Sequence, residues 1–176
     1  MQQRYTTVAI IFHWLVALMI IGAFSMGLFM TDLAPSPTKL KYFSWHKWAG
    51  ITILALATLR LLWRLSHPAP AYPPSMPAWQ KSSASALHAM LYLLMFAVPI
   101  SGYFYTLSAG YPVVYFGLFK LPVLIEKNAQ LKPVLLAVHF WLNMTMAGAV
   151  GLHVAAALKH QFIDHDGVLR RMLPKT

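Results

Sequence analysis

The chain contains no cysteine. That one absence removes structural disulfides, thiolate-ligated zinc, iron–sulfur clusters and covalently attached c-type haem. Acidic residues are nearly as scarce: Asp32, Glu126, Asp164 and Asp166 stand against fourteen Lys and Arg, for a formal charge of +10. None of the four lies inside a long apolar run, so a proton relay through those runs has no carboxylate to continue it. Charged residues make up only 10% of the 176, whereas 59% are hydrophobic and the mean hydropathy is +0.58. A soluble domain of this size cannot hide that much apolar surface from water. The matching solvent is a bilayer. In a soluble protein the basic excess would suggest nucleic acid; here the cations sit between apolar spans, so lipid headgroups, orientation or an anionic substrate take that place.

What is present is four apolar spans, at about 7–30, 45–65, 84–107 and 133–160, read as one membrane-embedded domain over 1–176. The first follows Arg4 but is long for a signal sequence, and no small-residue cleavage site precedes TDLAPSP, so it is expected to be retained. The stretch 31–44, with Pro35, Pro37, Lys39 and Lys41, reads as a linker that leaves the membrane. Trp45 and Trp48 mark an interface, and Arg60 and Arg64 are expected to snorkel to the far headgroups. The run SHPAPAYPPSMP, 66–77, is too proline-rich for helix or strand. Pro99, followed by Ser101 and Gly102, predicts a kink in the third span. The segment 108–132 is apolar but broken by Pro112, Gly117 and Pro122, and should lie at the interface. The expected fold is an all-α integral membrane protein, a four-transmembrane-helix bundle with a short interfacial segment between helices three and four.

Four spans put both termini on one side. Arg4, Arg60, Arg64, Lys81, Lys159, Arg170, Arg171 and Lys175 fall there, against Lys39, Lys41, Lys47, Lys120, Lys127 and Lys132 on the other. Eight against six favours cytoplasmic N- and C-termini. It also leaves an outer excess of cations that the orientation rule does not place there; headgroup binding and attraction of an anionic substrate both account for it.

Any metal chemistry has to use the eight histidines. His139 and His153, fourteen apart in the fourth span, lie about 21 Å apart in height and about 40° apart in bearing on a regular helix. One metal ion cannot bridge that distance; two centres at different depths can use it. His13 lies at the depth of His153, and His46 at the depth of His139. Each cross-bundle pair can sandwich one haem iron, although a single intramembrane histidine can equally hydrogen-bond across a helix interface. Gly148, Gly151 and Ala155 beside His153, with Gly22, Ser25 and Gly50 elsewhere, leave room for a flat macrocycle or for close helix packing. His88 is a rival ligand at the inner level or a partner for a haem propionate. His67, His160 and His165 read as surface residues.

The motifs FHW (12–14), HKWAG (46–50), HAMLYLLMFAVPISGY (88–103), GLHVAAALKH (151–160) and DGVLRRML (166–173) resemble those of the bacterial cytochrome b561 family over nearly the whole chain. The spacing in span four is similar, more distantly, to that of the haem-b subunits of formate dehydrogenases and nickel–iron hydrogenases. The resemblance implies two non-covalent, bis-histidine b haems in the bacterial inner membrane, with His13 and His153 on the inner haem and His46 and His139 on the outer one. It implies ubiquinone as electron partner and, from the small enterobacterial members, superoxide as donor. On that reading Lys39, Lys41 and Lys47 would steer superoxide towards the outer haem. Tyr42, Trp45 and Trp48 would wall a quinone slot, or else form an interfacial belt. The alternatives are a quinone reductase with another small donor such as ascorbate, and a haem-b relay anchor within a larger dehydrogenase complex.

Overall fold

The computed structural model describes residues 4–173; Lys175, counted above, lies outside them. Four long helices dominate: α1 (Thr7–Asp32), α2 (Pro37–Ser66), α3 (Ala78–Ser108) and α4 (Leu131–Phe162). Each is long and apolar enough to cross a membrane. A two-stranded antiparallel hairpin, β1 (Val114–Tyr115) with β2 (Phe119–Lys120), lies between α3 and α4, and a 3-10 turn (Leu169–Met172) follows α4.

Two of the helices, α2 and α3, begin well before the apolar runs suggest. Ser36 caps α2, its Oγ accepting from the Lys39 N–H at 3.2 Å, and Pro37 takes the first helical position. The expected linker 31–44 is thus mostly helix. α3 likewise begins at Ala78, directly after Pro77, rather than at 84.

Consecutive helices pack side by side, α1 on α2, α2 on α3 and α3 on α4, whereas the backbones of α1 and α4 scarcely meet. The end bearing both termini is here called lower and the hairpin end upper. The lower end is closed by the C-terminal segment. Trp14 Nε1 donates to Met172 O at 2.9 Å, Arg4 donates to Leu173 O, and the buried Arg171 donates through Nη1 to Ala71 O at 2.6 Å. At the upper end Trp48 Nε1 donates to Val114 O at 2.7 Å and stacks on Phe116, fixing the hairpin to α2.

The buried core is small: Val16, Ala57, Leu94, Met95, Met146 and Ala149, at mid-height. Large apolar side chains such as Leu18 (65% exposed) and Leu62 (57%) face outwards. For a lipid-solvated bundle that is the stable arrangement, since acyl chains are as apolar as leucine.

Candidate haem sites at two levels

Rotation and rise of the helices bring the predicted histidines together in two layers. At the upper level the His46 and His139 rings, from α2 and α4, have centroids 6.3 Å apart. At the lower level His13 and His153, from α1 and α4, are 6.1 Å apart. In each helix the two levels are fourteen residues apart: His13 and Gly27, His46 and Arg60, His88 and Gly102, His139 and His153.

The upper level pairs each histidine with a glycine. A Cβ on Gly27 would lie 3.3 Å from His46 Cε1, and one on Gly102 only 2.8 Å from His139 Cε1. His139 Nδ1–H donates to Ser101 Oγ (3.0 Å) and Val98 O (3.1 Å), while the Nδ1 of His46 is buried without a hydrogen-bond partner. The lower level fills the equivalent positions with polar side chains. Arg60 Nη2 donates to His13 Nδ1 at 3.3 Å and lies over the Tyr92 ring. It therefore does not snorkel to the headgroups: an imidazole nitrogen and an aromatic face within reach hold the guanidinium inside. His88 stands 5.2 Å from His153.

Whether these residues fit a haem can be tested on distance. Two imidazoles on opposite sides of one metal, each with a metal–nitrogen bond of about 2 Å, place their ring centroids roughly 6 Å apart. Both cross-helix pairs meet that spacing; His88 and His153 are about 1 Å too close for it. His139 also carries its proton on Nδ1, since a carbonyl only accepts, which leaves Nε2 free for a metal. At His13 the order is reversed: Arg60 can only donate, so Nδ1 is the acceptor and the neutral ring carries its proton on Nε2. Metal binding through that nitrogen requires Arg60 to turn away. Gly22, Gly148 and Gly151, where a Cβ would meet nothing within 4 Å, are all exposed on the outside of the bundle.

The remaining predicted residues are dispersed around these levels. Lys39 Nζ is held by the Thr31 and Leu33 carbonyls at the end of α1; Lys41 is exposed, and Lys47 is half-buried beside His46. Tyr42 and Trp45 pack ring on ring at 5.3 Å, with Phe29 against Tyr42, while Trp48 is committed to the hairpin. His67 stacks on Trp63, and His165 is exposed. His160 differs from the surface residue expected: it is half-buried, its Nδ1 2.6 Å from Asp166 and 3.1 Å from Asp164. Reading the sequence missed Gly27, Arg60, Ser101 and Gly102 as site residues. The signal was there for three of them, fourteen positions from His13, His46 and His88.

Four membrane-length helices carrying stacked histidine pairs are the architecture of a multi-pass membrane haem protein. The chain belongs to the prokaryotic cytochrome b561 family, whose profile matches residues 4–175. Its members are membrane electron-transfer proteins that bind haem b. The chain is 36% identical to "Cytochrome b561 homolog 2" of Escherichia coli K12, over 99% of its own length and 93% of that protein. It is 34% identical to "Probable superoxide oxidase CybB" of Yersinia pestis, over 99% and 98% respectively. With "Cytochrome b561 homolog 1" of E. coli K12 it shares 29% identity over 98% of each chain.

Proposed function

We propose that the chain is a di-haem b superoxide:ubiquinone oxidoreductase, with His13 and His153 holding the lower haem and His46 and His139 the upper one. The observation that carries this reading is the pair of ring separations, 6.1 and 6.3 Å, each spanning two helices. The name of the Yersinia relative supports superoxide as donor. Held by the two imidazoles of each pair, haem b would supply outer-sphere transfer of single electrons. Two superoxide ions each lose one electron and leave as dioxygen; the two electrons, with two protons, convert ubiquinone to ubiquinol.

The side chains supply attraction and shape. Lys41 and Lys47 bring positive charge to the upper level beside His46, with Lys39 adding its charge from the end of α1, and this field draws a small anion to the upper edge. Tyr42 and Trp45, which pack ring on ring, give ubiquinone an apolar wall, with the Tyr42 hydroxyl as its polar group, whereas Trp48 is taken up by the hairpin. The bundle sits in the bacterial inner membrane, lower end and both termini in the cytoplasm, in keeping with the basic excess there.

The test is the purified, haem-loaded chain supplied with enzymatically generated superoxide and a soluble ubiquinone analogue. One quinol should form per two superoxide ions consumed. Quinone reduction by ascorbate but not superoxide would replace the donor. No quinone reduction with both haems intact would make the chain a relay subunit of a larger dehydrogenase.

A further inference from the structure

Resting on the assignment of His139 as an upper haem ligand, we propose that Ser101 and Gly102 are positioning residues that seat His139 on α3 and fix which of its nitrogens faces the metal. Ser101 is buried, at 7% exposure. Its Oγ–H donates to the Val98 carbonyl at 2.8 Å, so the hydroxyl oxygen is left to accept from His139 Nδ1–H at 3.0 Å. The Val98 carbonyl accepts from the same Nδ1–H at 3.1 Å. Both acceptors belong to one turn of α3, and they hold the ring close against it. That approach is open only because residue 102 has no side chain: a Cβ there would lie 2.8, 3.2 and 3.4 Å from Cε1, Nδ1 and Nε2 of His139. Moving the ring aside to admit a methyl group would break both hydrogen bonds, so the clash has no cheap relief.

This seat is specific to one of the four paired histidines. His46 lies against Gly27 at the looser distance of 3.3 Å, with the Ala23 backbone near its ring but no well-formed hydrogen bond at Nδ1. At the lower level His13 receives a hydrogen bond from Arg60 rather than giving one. An imidazole that donates from Nδ1 to firm acceptors is a more basic ligand through its other nitrogen and favours the oxidised metal. The seat therefore lowers the reduction potential of the upper haem relative to the lower and tightens its hold.

Potentiometric titration with optical detection of both haems tests this, alongside haem transfer to apomyoglobin. Ser101→Ala should keep two haems per chain, move the upper potential upwards and leave the lower one in place, with upper-haem affinity weakened roughly 10–100-fold. Ser101→Thr, which retains the hydroxyl, should restore the wild-type potential. Gly102→Ala should take the haem-to-protein ratio from two towards one, and the surviving lower haem reports that the bundle has folded. Unchanged potentials and haem release in Ser101→Ala would overturn the seat while leaving His139 as ligand. A ratio of two in His139→Ala would instead overturn the ligand assignment beneath it.

Discussion

The two histidine levels occupy the same phase of the same four helices and are built from different chemistry. Above the apolar core, Gly27 and Gly102 stand opposite His46 and His139, and the rings press against neighbouring backbone. Below it, the fourteen-residue equivalents are His13, Arg60, His88 and His153, a cluster that carries a fixed positive charge and a third imidazole. Helix geometry repeats a position after fourteen residues to within about 40°. What the chain places at the repeated position decides what the level does. A glycine lets an imidazole seat closely; an arginine makes the same imidazole compete for its own nitrogen.

The sharpest way to break this contrast is to remove a ligand from one level and a bystander from the other. His139→Ala should reduce the haem-to-protein ratio from two to one, whereas His88→Ala should retain both haems, its ring being too close to His153 to share a metal with it. Extraction of haem and its absorbance against protein mass measures both. Equal haem loss in the two variants would erase the distinction between the pairs.

A smaller effect should follow from Arg60. Its guanidinium is a fixed charge at the lower level, and Arg60→Gln takes it away. Over a separation on the order of 8 Å, at an effective dielectric constant of about 20, a unit charge is worth ~2 kcal/mol. That corresponds to ~90 mV for one electron. Positive charge favours the reduced state, so the lower potential should fall and the upper one should hardly move. A shift of the upper potential instead would place Arg60 at the wrong level.

Smaller again is the steering expected at the upper end. Lys41→Gln with Lys47→Gln should slow superoxide consumption by about 2–5-fold at low ionic strength and flatten its dependence on salt. Stopped-flow decay of superoxide over a salt series measures this; parallel curves would remove the steering.

The smallest effect belongs to the lower rim. The Lys159 ammonium, within 2.8 and 2.6 Å of the two carboxylate oxygens of the exposed Asp164, holds that carboxyl below the usual carboxylate range. A depressed carboxyl stabilises the fold above its unfolded value, near pH 4, and the contribution is lost as pH falls through the folded one. Asp164→Asn should therefore change the Tm by no more than ~1 °C at pH 7, and by less at pH 3. A large shift at both values would point to packing rather than charge.

The four helices were legible because membrane spans are long apolar runs, the most redundant signal a sequence carries. The pairing of His13 with His153 and His46 with His139 was legible from depth alone, since fixed rise converts position into height. Ser101 and Gly102 were noticed only as punctuation after Pro99. Their meeting with His139 depends on how α3 is rotated against α4, and rotation comes from packing that no single helix encodes. Arg60 was misjudged for a related reason: its length suggests snorkelling, and only the nearby His13 nitrogen and Tyr92 ring give it an interior home. The hairpin on α2 depended on Trp48 reaching Val114, a contact between residues 66 apart in sequence.

The mid-height core has an electrical consequence. Val16, Ala57, Leu94, Met95, Met146 and Ala149 separate the two levels with an apolar layer against which Tyr92 packs. On the proposed two-haem reading, an electron handed from one level to the other would cross that layer, whose core residues include no carboxylate or histidine to carry a proton. It crosses about 20 Å of a hydrocarbon slab ~30 Å thick, roughly two thirds of the field. Each 100 mV of membrane potential then biases the electron between the levels by ~1.5 kcal/mol, about a factor of ten in occupancy. On that reading the transmembrane voltage would be a third determinant of where the electron rests, beside the proposed seat on α3 and the arginine on α2.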